Sequence, residues 1–130
     1  MTTDGNKAIV SKFINEVLSG SNIDLIDELV APNYTNPSMG VTDRASFKSL
    51  LSGLKDLPIR HYEIANLIAE GDSVVFRGDM KITLASGKEV SARVITYYRL
   101  VNGKIVEDEP ISVPAMTELL SDLMPPKPSS

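Results

Sequence analysis

Apolar residues first recur at helical spacing. Ala8, Ile9, Phe13, Val17 and Leu18 fall on one side of a helix running from Lys7 to Leu18, with Asp4 placed to cap it and Gly20 to end it. The break Ser19-Gly20-Ser21-Asn22 precedes a second, short helix, Ile23 to Val30, whose Leu25, Ile26 and Leu29 share a face before Ala31-Pro32 closes it. Asn33 to Thr42 is rich in Asn, Pro, Gly and Ser and reads as a loop, after which Asp43 caps a third helix holding Phe47, Leu50, Leu51 and Leu54.

Past Pro58 the pattern becomes β-type. Four segments, Ile59 to Ala69, Ser73 to Leu84, Glu89 to Leu100 and Lys104 to Ser112, are divided by Glu70-Gly71-Asp72, Ala85-Ser86-Gly87 and Asn102-Gly103. Connections this short join antiparallel neighbours, so a meander is expected. Ser112 and Pro114 open a last helix, Ala115 to Leu123, and residues 125–130 form a Pro/Ser-rich tail behind a single domain over 1–124. Helices followed by a meander make an α+β fold in which the helices close one face of a strongly curved antiparallel sheet around an apolar pocket.

Composition narrows the chemistry. The 130 residues carry a net charge of −4 with scattered basic residues, which argues against a nucleic-acid partner, because phosphate binding needs clustered Lys and Arg. There is no cysteine, which removes a disulfide scaffold, a thiolate nucleophile and Cys-based zinc. One histidine, His61, cannot make a His-rich metal site and has no acidic partner fixed by spacing, so neither a metal nor a cofactor is expected and His61 is given no role. No apolar run approaches a membrane span and no basic-then-apolar leader opens the chain, so the expected location is cytoplasmic.

Among the polar residues of the strands, Arg77 and Asp79 are two apart, and the pleat puts both on one face. On a concave face they form a cation–carboxylate pair in a mostly apolar cavity, poised for proton transfer. On the other face they are solvated charges. The lining of a pocket is expected from Phe47, Leu50, Leu51 and Leu54 on the third helix, Val75, and Ala92, Val94 and Thr96 on the third long strand, several of which can equally be plain core. The opposite face of that strand, with Ile95 and Tyr97 between Arg93 and Arg99, points away from the helices and is an apolar-aromatic stripe of the kind that takes a partner.

Phe13 with Glu16-Val17, then the run Ile23-Asp24-Leu25-Ile26-Asp27-Glu28-Leu29-Val30-Ala31-Pro32-Asn33-Tyr34, resembles the opening of SnoaL-like proteins. Ile68 to Val75, Gly87 to Val90 and Gly103 to Glu107 look like later blocks of that family, in order, so that the resemblance spans residues 7–112. It implies the nuclear-transport-factor-2-like cone shared with ketosteroid isomerases, polyketide cyclases and limonene-epoxide hydrolases, and a homodimer through the convex sheet. Function varies widely on this scaffold and has to be argued from the site.

Tyr34-Thr35-Asn36 together with Arg77 and Asp79 resembles the limonene-epoxide hydrolases in particular. There a Tyr, an Asn and an Asp hold a water, the Asp takes its proton, and an Arg bridges to a second Asp that protonates the epoxide. Carried over, Asp79 is the base, Tyr34 and Asn36 position the water, and Arg77 keeps the carboxylate ionised and oriented. The hydrolases' second acid, and the Asp that SnoaL-like cyclases carry after a His-Trp pair, both align with Pro110. Of the neighbouring carboxylates, Asp108 shares a strand face with position 110 unless the strand bulges, and is preferred to Glu109.

Two functions follow. One is a cofactor-free acid–base enzyme acting on a small hydrophobic metabolite by cyclisation, isomerisation or epoxide opening, with Asp79, Arg77, Tyr34, Asn36 and Asp108 as its catalytic set. The other is a binding module that keeps the pocket and has lost the acid at Pro110.

Overall fold

The computed structural model of the chain describes residues 2–54, 59–83 and 87–113. Helix α1, Thr3–Lys12, is capped by Thr2, whose hydroxyl accepts from the Gly5 amide; Asp4 lies inside the first turn, where its charge complements the helix dipole. The chain continues without a break into a π-helical stretch, Phe13–Ser19, so that Val10, Phe13, Ile14 and Val17 all stay buried. A 3₁₀ turn, Ile23–Leu25, leads into α2, Ile26–Leu29.

From Val30 the chain is extended, and this departs from the expected loop. Val30–Thr35 forms strand β1, which runs parallel to the last strand. It lies at the edge of the sheet, the position that tolerates Pro32, which has no N–H to contribute to a ladder. A strand therefore precedes the third helix, α3, Arg44–Leu54, where Asp43 acts as the expected cap: its Oδ1 accepts from the Ser46 amide at 2.7 Å.

The remaining strands agree with their sequence segments to within two residues: β2 Ile59–Glu70, β3 Ser73–Thr83, β4 Glu89–Val101 and β5 Lys104–Val113. Asn102 and Gly103 both adopt left-handed φ, as a tight two-residue hairpin requires. The five strands lie in the order β1-β5-β4-β3-β2, an antiparallel meander with one parallel edge. The expected last helix, Ala115 to Leu123, and the tail, 125–130, lie outside the described residues, as does the side chain of Leu54.

Helices and sheet meet through aromatic rings. Phe13 stacks on Phe47 of α3 and meets Tyr98 of β4 edge-on, each at 5.9 Å between centroids, and Tyr34 of β1 lies 4.8 Å from Phe47. The inward faces of β3 and β4 supply Val74, Phe76, Met80 and Ile82, and Ala92, Val94, Tyr98 and Leu100. The result is an α+β fold, a curved sheet with helices over its concave side.

Candidate functional site

Strand β3 alternates strictly. Val74, Phe76, Gly78, Met80 and Ile82 are buried, whereas Arg77 and Asp79 are exposed. The two do share a face, but it is the convex one, and this corrects the expectation that they project into the chamber. Arg77 donates from Nη1 to Asn66 Oδ1 at 2.9 Å on neighbouring β2, and Asp79 pairs in register with Glu63 and Arg93. Val75, expected in the lining, has the same parity and also turns outward. The deciding cue was present in the sequence: the even positions 74, 76, 80 and 82 are all apolar, and a strand buries its apolar parity.

The other polar candidates do converge. Tyr34 is at the end of β1 and Asp108 on β5, 74 residues apart, and the parallel β1–β5 pairing brings them together: the Tyr34 hydroxyl donates to Asp108 Oδ2 at 2.6 Å. Asn36 is buried beyond β1. Its Oδ1 accepts from the Met39 amide at 3.3 Å, and its side chain is a minor influence that lowers the Tyr34 pKa against the larger rise from burial. Asp108 is 4% exposed and Glu109 is exposed, so the strand presents one carboxyl inward. Pairing is regular from Asp108 opposite Tyr98 to Pro110 opposite Thr96, and the irregularity falls before it, at Arg99/Leu100; Asp108 and Pro110 thus share the inner face.

Burial pushes the Asp108 carboxyl up to about 7, and the Tyr34 hydrogen bond opposes that rise by stabilising the anion. Both tyrosines near it are held well above the usual phenol range, first by burial and then by the Asp108 charge, so they stay protonated. At neutral pH this carboxyl can therefore both release and accept a proton, and a neutral phenol orients it.

Phe47 and Leu51 of α3 and Ala92, Val94 and Thr96 of β4 are buried toward the same interior, while Leu50 is partly buried. Tyr98 was missed by the sequence reading. Its signal was the parity it shares with Ala92, Val94 and Thr96. His61 is exposed beside Glu63, at 3.7 Å. Among the described residues no group of His, Asp and Glu side chains is arranged to hold a metal ion, and no helix is long and apolar enough to cross a membrane.

A family model described as the SnoaL-like domain matches residues 10–108. No curated protein matches the sequence. Among solved structures, a candidate polyketide cyclase from Acidithiobacillus ferrooxidans is 24% identical, with a TM-score of 0.77 over 95% of this chain and 97% of that one. An LEH-like epoxide hydrolase of M. tuberculosis is 18% identical, with a TM-score of 0.77 over 93% and 92%. A protein of ketosteroid isomerase-like fold from Catenulispora acidiphila, in complex with trimethylamine, is 16% identical, with a TM-score of 0.72 over 94% and 96%. At these identities the likeness carries the fold.

Proposed function

We propose, from the premise that this chain belongs to the SnoaL-like domain family, that it is an acid–base enzyme acting on a small hydrophobic molecule, with Asp108 as its proton carrier. The observation that carries this is the buried Tyr34–Asp108 hydrogen bond. Because Tyr34 donates to Oδ2, the proton of the neutral carboxyl belongs on Oδ1, and Oδ1 is the atom that exchanges it with substrate. Ionised Asp108 removes a proton from a carbon beside a carbonyl, the C–H electrons pass into an enolate, and the same oxygen returns a proton to that carbon or, where a conjugated double bond makes the anion a dienolate, to its γ-carbon. Tyr34 and Asn36 are positioning residues that act through the carboxyl.

Epoxide opening with two acids is less well supported, because Asp79, the carboxylate the resemblance assigns to it, is on the convex face. Transfer by a single carboxyl, as in isomerisation or cyclisation, needs only what Asp108 supplies. Phe47, Leu51, Ala92, Val94 and Thr96 are the apolar wall against which the substrate would lie. No Lys, Arg or His is buried among the described residues, which favours a neutral substrate over an anion.

A direct test follows proton exchange at the α-carbon of 2-tetralone, an apolar ketone, in D₂O by proton NMR. The wild-type protein should accelerate exchange, and a protein that binds 2-tetralone without accelerating it is a binding module instead. Tyr34→Phe removes the hydrogen bond that lowers the Asp108 pKa, so the pH at which exchange reaches half its maximum should rise by about one unit. An unchanged profile would show that the phenol does not act through Asp108.

The same proposal includes a homodimer through the convex sheet. Ile95 and Ile111 pair across β4 and β5 and are 51% and 71% exposed, with Ile68 and Val113 also exposed. Ile111→Glu should convert a dimer to a monomer in sedimentation velocity. A wild-type protein that sediments as a monomer even at the highest concentration at which it stays in solution would contradict the dimer.

A further inference from the structure

Residues 36–41 form a loop closed on itself. Asn36 and Val41 exchange backbone hydrogen bonds at 2.9 and 3.0 Å, and the Met39 and Gly40 amides donate back to the carbonyls of Asn36 and Pro37. Gly40 turns the chain with a left-handed φ of 71°. Because these backbone bonds are internal, the loop keeps them when it swings about its buried ends, Asn36 and Val41, while Pro37, Ser38 and Gly40 between them are exposed. Met39 is half-buried and seats the loop on the core.

The loop rests on the edge of β5. The β1–β5 register ends at Thr35 opposite Glu107, so from Asp108 onward β1 no longer covers that edge. Ser38 Oγ donates to the Pro110 carbonyl oxygen at 3.3 Å, an exposed bond and, among the described residues, the one hydrogen bond tying Pro37, Ser38, Met39 and Gly40 to the sheet. The N–H and C=O of a strand residue point to the same side, and proline has no N–H, so position 110 offers the loop an acceptor and no donor. Asp108 lies two residues before it on the same inner face and is 4% exposed. A carboxyl so enclosed meets a ligand only when something covering it moves.

We propose that residues 36–41 are a flap that opens over Asp108, with Ser38 and Pro110 as its latch and Met39 as its apolar foot. This rests on the reading of Asp108 as a residue that faces the ligand. Opening breaks one exposed hydrogen bond and lifts one methionine, while Tyr34 on β1 stays bonded to Asp108. A neutral apolar molecule enters between Ser38 and the edge of β5, and the flap shuts water out behind it.

The thioether of Met39 reports the opening. Hydrogen peroxide oxidises a covered methionine in proportion to the population that exposes it, and Met80, 1% exposed on β3, reports global unfolding in the same sample. By peptide mass spectrometry, Ser38→Ala should speed sulfoxide formation at Met39 roughly 3- to 10-fold, the size of one neutral hydrogen bond. Met80 should not change, and Ser38→Thr, which keeps the hydroxyl, should restore the wild-type rate. In NMR line shapes with 2-tetralone, Ser38→Ala should raise the association and dissociation rates by the same factor at constant Kd, since a latch closed in both free and bound protein governs passage and not affinity. An unchanged Met39 rate, or an equal rise at Met39 and Met80, overturns the flap, as does a weaker Kd with no change in association rate, which makes Ser38 a binding contact. A wild-type protein that does not bind 2-tetralone refutes the reading of Asp108 and not the flap, which the Met39 comparison decides by itself.

Discussion

Asp108→Asn is expected to abolish proton exchange, by a factor of about 10² to 10⁴, and at pH 8 to make the protein more stable than the wild type. Both effects come from the same burial. The folded-state pKa of Asp108 is raised from 3.8 to about 7, so between those values the native state holds a proton that the unfolded chain has released. The stability of the wild type should accordingly fall as pH rises from about 4 to about 7, and the penalty is complete above that window. A rise of that size corresponds to at most about 4 kcal/mol, and roughly 2–4 kcal/mol is expected at pH 8.

The amide is nearly isosteric and carries no charge, and its oxygen can still accept from Tyr34. It therefore avoids the cost of a buried anion while keeping the hydrogen bond. Denaturant unfolding of both proteins at pH 8 and pH 4 makes the measurement. The stabilisation should be present at pH 8 and close to zero at pH 4. Asp27 and Asp43, exposed carboxylates with lowered pKa values, act in the opposite sense as pH falls, but both proteins contain them and the difference cancels. The same gain at both pH values, or none at either, would mean that Asp108 is solvated, and its proposed role would go with that result.

Gly78→Ala should be the most damaging single substitution outside the core side chains. Gly78 is on the inner face of β3, where β2 has its irregularity between Ile64 and Asn66. A Cβ there would overlap the backbone carbonyl oxygen of Glu63 and come within 2.9 Å of the Phe76 ring. A backbone carbonyl inside a paired strand cannot swing away as a side-chain tip can, so β2 and β3 must separate locally, at a cost on the order of 3 kcal/mol or more. Gly53→Ala is the matched control: nothing stands within 4 Å of its added carbon and it is in α3, so it should gain about 0.5–1 kcal/mol. Thermal unfolding of the pair decides the matter, and equal melting temperatures would refute the close approach at Gly78.

Much of this molecule was legible as text. Alternation from Ser73 to Thr83 and from Glu89 to Val101 marked the strands, and Asn102-Gly103 marked the hairpin between β4 and β5, because period-two burial and left-handed turn residues are local properties of the chain. The pairing of Arg77 with Asp79 on one face was fixed in the same way. Local periodicity does not say which of two faces meets the helices when a charged pair is the feature being followed, and here the apolar parity of Val74, Phe76, Met80 and Ile82 decided against it.

The sequence by itself determined the helices, the four strands from Ile59 onward and the short list of polar groups, since each of these follows from spacing along the backbone, but it did not determine β1. Only the tertiary structure decided which of those groups work together. Val30–Thr35 became a strand by pairing with β5, a partner more than 70 residues away, and that long-range pairing carries Tyr34 to within 2.6 Å of Asp108. A carboxyl's pKa depends on the solvent it has lost and the donors that surround it. Both are set by residues remote in the chain, which is why Asp108 could be named from the sequence but its proton chemistry could not.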